Sequence, residues 1–191
     1  MQHRIAPAAL AVLAALVTAG AASAHAKMSP PVVLAAQGQV FTLAVPTEKD
    51  DATTTTVELT PPSGFSIDSF FPTPGWTRSV EQSGSGESAV VTKVTWKGGS
   101  VPTGEDAAFS FLGRTSGSGE YRFAVRQTYS DGSVVDWSGS EASDAPAPTV
   151  KAVSSFAGGT STLTIVALAL GAAGVVLGGI ALLARGGRRL T

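Results

Sequence analysis

Hydrophobic and polar residues alternate along much of the chain between residues 25 and 150, and this alternation predicts strands. In the longest run, large side chains recur at every second position from Tyr121 to Tyr129. Such a repeat is typical of a strand with one buried face. Shorter runs cover residues 41–45, 54–59, 89–96 and 109–111. In the run at 54–59 we assign Thr55, Val57 and Leu59 to the inner face. In the run at 89–96 we assign Val90, Val94 and Trp96 to it.

Clusters of Gly, Pro, Ser and Asp separate these runs, as at residues 61–64, 83–86, 98–104 and 116–119. Such clusters have the turn chemistry expected between antiparallel strands. About seven to nine short strands at this spacing are typical of a sandwich. The sequence therefore predicts an all-β fold, an immunoglobulin-like or cupredoxin-like antiparallel β-sandwich, over residues 25–150.

The C-terminal part of the chain is apolar over residues 163–184, where Thr164 is the one polar interruption. A helix of this length spans about 30 Å of hydrocarbon, so a single transmembrane helix is predicted. Three arginines lie in the following segment, residues 185–191, and positive charge stays on the cytoplasmic side. Residues 151–162, rich in Ala, Ser and Gly, are predicted to form a stalk.

The first 24 residues have the pattern of a cleaved signal peptide. Arg4 precedes an apolar run, and Ala22-Ser23-Ala24 supplies small residues before a cleavage site. An uncleaved anchor helix is the alternative, but the run is short and Pro7 interrupts it. We therefore expect a single-pass protein of the cell membrane, with residues 25–150 outside the cytoplasm and His25 as the first residue.

The composition excludes several kinds of site. The chain has no cysteine, so it has neither a disulfide framework nor a thiolate metal site. All 14 acidic residues fall between Glu48 and Asp144, against eight basic residues in 25–150. This acidity argues against a nucleic-acid partner. It is explained by solubility or by attraction of cations, and the composition alone leaves both open.

Catalytic groups are scarce in the mature chain. His25 is its one histidine, because His3 leaves with the signal peptide. No glycine-rich phosphate loop is present. The carboxylate pairs at residues 50–51 and 105–106 fall in turn-like segments, where solvation explains them better than glycosidase chemistry. The sequence therefore predicts a protein that is not an enzyme.

A free N-terminal histidine is itself a metal chelate. The α-amine and imidazole Nδ1 of His25 would close a six-membered ring on one ion, and two nitrogen ligands of this kind suit Cu(II). Met28 is the one methionine besides Met1, so a sulfur-rich Cu(I) site is not expected. The alternative is that the cleavage site precedes a histidine by chance, since one ligand residue does not define a site.

A set of short motifs occurs in order along the mature chain: "MSP", "VPTEKDDATTTTVEL", "PGWT", "VTWKGG", "QTYSDGSVVDWSG" and "APAPTV". Together with the histidine at position 25, this set resembles the YcnI-like copper-binding proteins. The resemblance implies a β-sandwich that binds Cu(II) in a one-histidine brace. In that brace the N-terminal histidine chelates copper, a glutamate adds an oxygen ligand, and a tryptophan lies against the metal.

Carried over by motif, the site residues are His25, Glu48 in "VPTEKD" and Trp137 in "VVDWSG". Core packing is the other reading of Trp137, as it is the expected role of Trp76 and Trp96. The chain departs from the family at Ala26-Lys27, where a β-branched residue more often follows the histidine. Lys27 brings a positive charge near the site, which would weaken the binding of a cation.

The resemblance implies a membrane-anchored Cu(II)-binding protein that takes part in copper handling, as a metallochaperone, a store or a support for import. Its expected partners are the copper ion, the membrane and a copper transporter or chaperone. The rival hypothesis is a metal-free immunoglobulin-like module for adhesion at the cell surface. A hydrolase is a third hypothesis, and the scarcity of catalytic groups makes it a poor one.

Overall fold

The computed structural model describes residues 25–156 and 162–186. The described chain divides into a β-rich unit that ends at Ser154 and a C-terminal unit that begins at Ser155. The predicted signal peptide, residues 1–24, lies outside the described residues. So do parts of the predicted stalk and tail.

The β-rich unit contains twelve strands, most of which begin or end at the Gly-, Pro- and Ser-containing turns of the sequence. The strands are β1 (Lys27–Ser29), β2 (Val32–Leu34), β3 (Gln39–Pro46), β4 (Thr54–Thr60), β5 (Phe65–Phe70), β6 (Thr77–Ser83), β7 (Val90–Val101), β8 (Asp106–Thr115), β9 (Gly119–Arg122), β10 (Ala124–Tyr129), β11 (Val134–Trp137) and β12 (Thr149–Val153).

These strands form three sheets. Their orders are β1-β3-β8-β5, β11-β10-β4-β7-β6 and β2-β12-β9. All strand pairs are antiparallel except β12 with β2. The alternating run from Tyr121 to Tyr129 is divided at Phe123 between β9 and β10, which belong to different sheets. The amide of Phe123 donates to the carbonyl of Pro148 at 2.9 Å, which continues the β9–β12 register by one residue.

Aromatic side chains from different sheets fill the core. Trp96 on β7 stacks on Phe109 on β8 with ring centroids 4.3 Å apart, which joins the five-stranded sheet to the four-stranded sheet. Phe65 meets Phe41 and Phe123 edge to face, at 5.0 and 4.8 Å. Such ring pairs add to the hydrophobic stabilisation of the burial itself. The prediction of an all-β, immunoglobulin-like antiparallel sandwich is confirmed.

Two details of the predicted inner faces are wrong, and β-bulges explain both. Between Glu81 and Gln82 the β6–β7 register shifts, so that Val91 is buried and Val90 is 46% exposed. The β10–β4 register also shifts, between Thr128 and Tyr129, where β4 has one extra residue, and Thr54 rather than Thr55 turns into the interior. A bulge adds one residue to a strand and exchanges the two faces beyond it.

The C-terminal unit contains one helix, α1 (Thr162–Gly186), which begins one residue before the predicted span and ends two after it. Its segment Thr162–Ala181 has a mean hydropathy of 2.3, enough by length and composition to cross a membrane. The predicted domain boundary at residue 150 falls inside β12, so that Lys151 to Val153 belong to a strand and not to the stalk.

Candidate metal site

Trp137 is the last residue of β11, where it pairs with Val125 of β10. Its side chain is buried, and its indole Nε1–H donates to Oε1 of Gln127 at 2.9 Å. A buried indole needs such an acceptor, because an unpaired N–H loses its hydration without compensation. The ring of Trp137 is therefore fixed in rotation by Gln127.

A network of buried polar side chains continues from Gln127. Its Nε2 donates to the carbonyl of Pro46 at 2.8 Å and to the hydroxyl of Thr54 at 2.7 Å. The hydroxyls of Thr54 and Thr47 lie 2.7 Å apart. The bulge in β4 makes the network possible, because it turns Thr54 inward. The network connects the indole of Trp137 to the end of β3.

His25 lies at the same end of the sandwich. Its imidazole centroid is 6.4 Å from a ring centroid of Trp137, with the two planes inclined at 62°. In the β1–β3 pair, Lys27 is opposite Ala44. Continued by two residues, this antiparallel register brings the backbone of His25 toward Pro46, whose carbonyl accepts from Gln127.

Glu48 follows β3 by two residues, on a loop that is fixed on both sides of it. The amide of Thr47 donates to the carbonyl of Glu105, and the carbonyl of Thr47 accepts from the amide of Gly104, both at 2.9 Å. The hydroxyl of Thr103 donates to the carbonyl of Lys49 at 2.6 Å. The Glu48 side chain is exposed on this fixed loop.

Charged and phenolic groups beside Glu48 hold the loop further. The ammonium of Lys49 donates to the carboxylate of Asp131 and, at 2.8 Å, to the hydroxyl of Ser133. The bonds from Lys49 and Ser133 hold the pKa of Asp131 well below its usual range. Burial raises the pKa of Tyr129, and a hydrogen bond with the backbone of Glu48 partly opposes that rise. The phenol of Tyr129 is therefore in contact with the Glu48 loop.

Two further glutamates line a groove that His25 also lines. This groove of about 470 Å³ begins at His25 and is lined by Glu120, Arg122 and Glu141. Glu120 forms an ion pair with Arg122 at 2.8 Å, whereas no ion pair among the described residues involves Glu141. The loop that carries Glu141 is closed by a bond from the Gly139 amide to the carbonyl of Ala145 at 3.0 Å.

The structure thus brings His25 against Trp137 and places Glu48 on the loop that leaves the same end of β3. Within residues 25–156 and 162–186, no group of three or more His, Cys, Asp or Glu side chains could hold a metal. Side chains alone offer one imidazole with nearby carboxylates. This donor set suits a metal only when a further nitrogen joins it, such as the α-amine of a processed chain.

The sequence did not predict a site role for Gln127, Thr54, Thr47 or Glu141. For Gln127 a signal was present, because a glutamine occupies an inward position of a hydrophobic alternating run. Thr54 depended on a bulge that the pattern does not show. Nothing in the sequence marked Glu141 as a site residue.

Comparison with known proteins places the β-rich unit in a family. The model of the family described as "Domain of unknown function (DUF1775)" matches residues 25–152. That range begins at His25 and ends within β12.

Two relatives are similar over most of their length. The copper-binding protein CutI of Bacillus subtilis is 30% identical over 175 residues, which cover 82% of this chain and 83% of CutI. An uncharacterised protein from Nocardia farcinica, whose crystal structure revealed an immunoglobulin-like fold, is 31% identical with a TM-score of 0.58. That alignment covers 68% of this chain and 98% of the Nocardia protein.

Proposed function

The chain belongs to the DUF1775 family of YcnI-like proteins, and from this premise we propose that it is a membrane-anchored Cu(II)-binding protein. One observation carries this function: the imidazole of His25 lies beside the buried indole of Trp137. It is the single imidazole among the described residues. Copper binding by the relative CutI supports the choice of metal.

The ligands of the proposed site come from the beginning of the mature chain. The α-amine and imidazole of His25 chelate Cu(II), and a carboxylate adds an anionic oxygen. Nitrogen and oxygen donors of this kind suit Cu(II), which also binds such sites more tightly than the neighbouring divalent metals do. The thioether of Met28 is buried in the core, and this favours Cu(II) over Cu(I).

We infer a binding protein rather than an enzyme, because His25 supplies both the metal ligand and the one imidazole of the described chain. Its role in copper handling is that of a metallochaperone, a store or a support for import, with a copper transporter or chaperone as partner. Copper titration of the processed protein tests this function. A protein with a free His25 terminus that binds no Cu(II) would leave the metal-free adhesion module as the better hypothesis.

We expect α1 to anchor the protein with its β-rich unit outside the cytoplasm. The span is apolar and exposed, and three arginines follow in the sequence on the side that stays inside. Protease added to intact cells should remove the β-rich unit, and carbonate washing should leave α1 in the membrane. If the β-rich unit resists protease in intact cells and is digested only after lysis, the proposed orientation is wrong.

Two glutamates compete for the role of oxygen ligand, and substitution distinguishes them. We expect Glu48→Gln to weaken Cu(II) binding by about tenfold, because the amide keeps the shape and removes the anionic donor. Glu141→Gln should weaken it less, by about twofold, through the loss of a nearby negative charge. The measurement is competition with a chelator of known affinity.

Glu120→Gln is the matched control. Glu120 lines the same groove as Glu141 but is paired with Arg122, so its substitution should lower Cu(II) affinity less than Glu141→Gln does. If Glu141→Gln lost more Cu(II) affinity than Glu48→Gln, the oxygen ligand would be Glu141 in the groove and not Glu48 on the loop after β3.

A further inference from the structure

Gln127 joins the parts of the site that come from different strands. Its side chain is fully buried, and its amide oxygen and nitrogen are both bonded. We propose that Gln127 is the positioning residue of the copper site, holding the indole of Trp137 and the end of β3 in one fixed arrangement. This role rests on the proposed copper function.

The position of Gln127 in the core gives the first argument. Val125 precedes it on the inner face of β10, and Val57 is its partner on β4. An apolar residue would pack there at no cost in desolvation, whereas a buried amide must have each polar atom bonded to be tolerated. The amide contributes directed bonds that an aliphatic residue cannot make, and all of them reach residues of the site or its support.

The bond to Trp137 orients the indole. The Nε1–H donates to Gln127 at 2.9 Å, and this sets which edge of the ring faces His25. Without this acceptor the indole N–H would be buried and unpaired, so the ring would rotate or admit water. The surroundings of a metal held by His25 would then change although no ligand had been altered.

The bonds of Nε2 fix the other side of the site. The carbonyl of Pro46 accepts at 2.8 Å, and Glu48 lies two residues further along the chain. The hydroxyl of Thr54 accepts at 2.7 Å and lies 2.7 Å from that of Thr47, the residue between Pro46 and Glu48. One side chain therefore sets both the indole and the start of the Glu48 loop.

The decisive variant is Gln127→Met, which keeps the length of the side chain and removes the amide. In the full processed chain in detergent, we expect Cu(II) affinity to fall about 10- to 100-fold, as for other residues that orient metal-site groups. The electron paramagnetic resonance spectrum of bound Cu(II) should change. In the copper-free protein, the indole N–H resonance of Trp137 should move, which reports the lost bond independently of metal.

The control is Val94→Ala, a core truncation on β7 that forms no bond to the site. It should lower the melting temperature and leave the copper spectrum and affinity unchanged. A Gln127→Met protein that melts early but matches the parent in Cu(II) affinity and spectrum would overturn the positioning role.

If the Gln127→Met chain does not fold, Thr54→Val provides a second test, because it removes one hydroxyl and keeps the shape of the side chain. We expect a several-fold loss of Cu(II) affinity and a shift of the Trp137 indole resonance, and no change in either would overturn the positioning role. Copper titration of the parent protein distinguishes a failure of the copper function from a failure of the positioning role of Gln127. If it binds no Cu(II), the copper function fails, while the indole resonance still tests what Gln127 holds.

Discussion

A chain whose His25 α-amine is acetylated will bind Cu(II) at least about a hundredfold more weakly than the chain that begins with a free His25. Acetylation converts the α-amine into an amide, leaves every side chain in place and, unlike an added residue, supplies no new α-amine. Without a terminal amine beside it, the amide nitrogen keeps its hydrogen at neutral pH and is a poor ligand, so the chelate ring is lost. Chelator competition with both proteins, purified in the same detergent, measures the difference.

His25→Ala is the complementary variant, because it keeps the amine and removes the imidazole. It should lose affinity as severely as the acetylated chain, since each change leaves one nitrogen of the chelate. Both variants should keep the unfolding transition of the copper-free parent, because the imidazole of His25 is only partly buried. Parent-like Cu(II) affinity in the acetylated chain would mean that the carboxylates, and not the terminal chelate, hold the metal.

Protons compete for the same two nitrogens, so the parent should lose affinity on acidification. The acetylated chain has only the imidazole to protonate and should show a shallower dependence on pH. Titrations at several pH values therefore test the chelate in a second way.

The sandwich was predictable because its hydrophobic alternation repeats along many strands. Phe41, Leu43 and Val45 are buried as the pattern predicted, and one mistaken strand does not change the fold class. The bulges were not predictable, since an extra residue in a strand depends on its pairing partner and leaves no mark in the period. Val90 and Thr55 were placed on the wrong face for this reason.

The site could be predicted only in part, because its residues are distant in sequence. The family motifs brought His25, Glu48 and Trp137 to notice, and the structure brings the rings of His25 and Trp137 close together. The pattern placed a glutamine at an inward position of its strand, but neither the pattern nor the motifs indicated which strands that glutamine links. Hydrogen bonds between Gln127 and residues on three other strands or loops arise from tertiary packing alone.

Trp137 should affect both the stability of the domain and the spectrum of bound copper, and two substitutions separate these effects. Trp137→Ala removes a fully buried ring and should lower the free energy of unfolding by about 3–5 kcal/mol. Trp137→Phe keeps an aromatic ring but leaves Oε1 of Gln127 without its donor, and should cost about 1–3 kcal/mol. Denaturant unfolding of the copper-free proteins measures both losses.

The Trp137→Phe protein remains folded at this cost and can be loaded with copper. We expect its Cu(II) spectrum to differ from that of the parent, because the indole lies beside His25, with ring centroids 6.4 Å apart. Quenching of tryptophan fluorescence by Cu(II) should also fall sharply, since the nearest indole is gone. Trp96→Phe is the control: Trp96 is equally buried and stacks on Phe109 in the core, so its loss should lower stability alone. If the Trp137→Phe protein has the same copper spectrum and the same quenching as the parent, Trp137 serves only to pack the core.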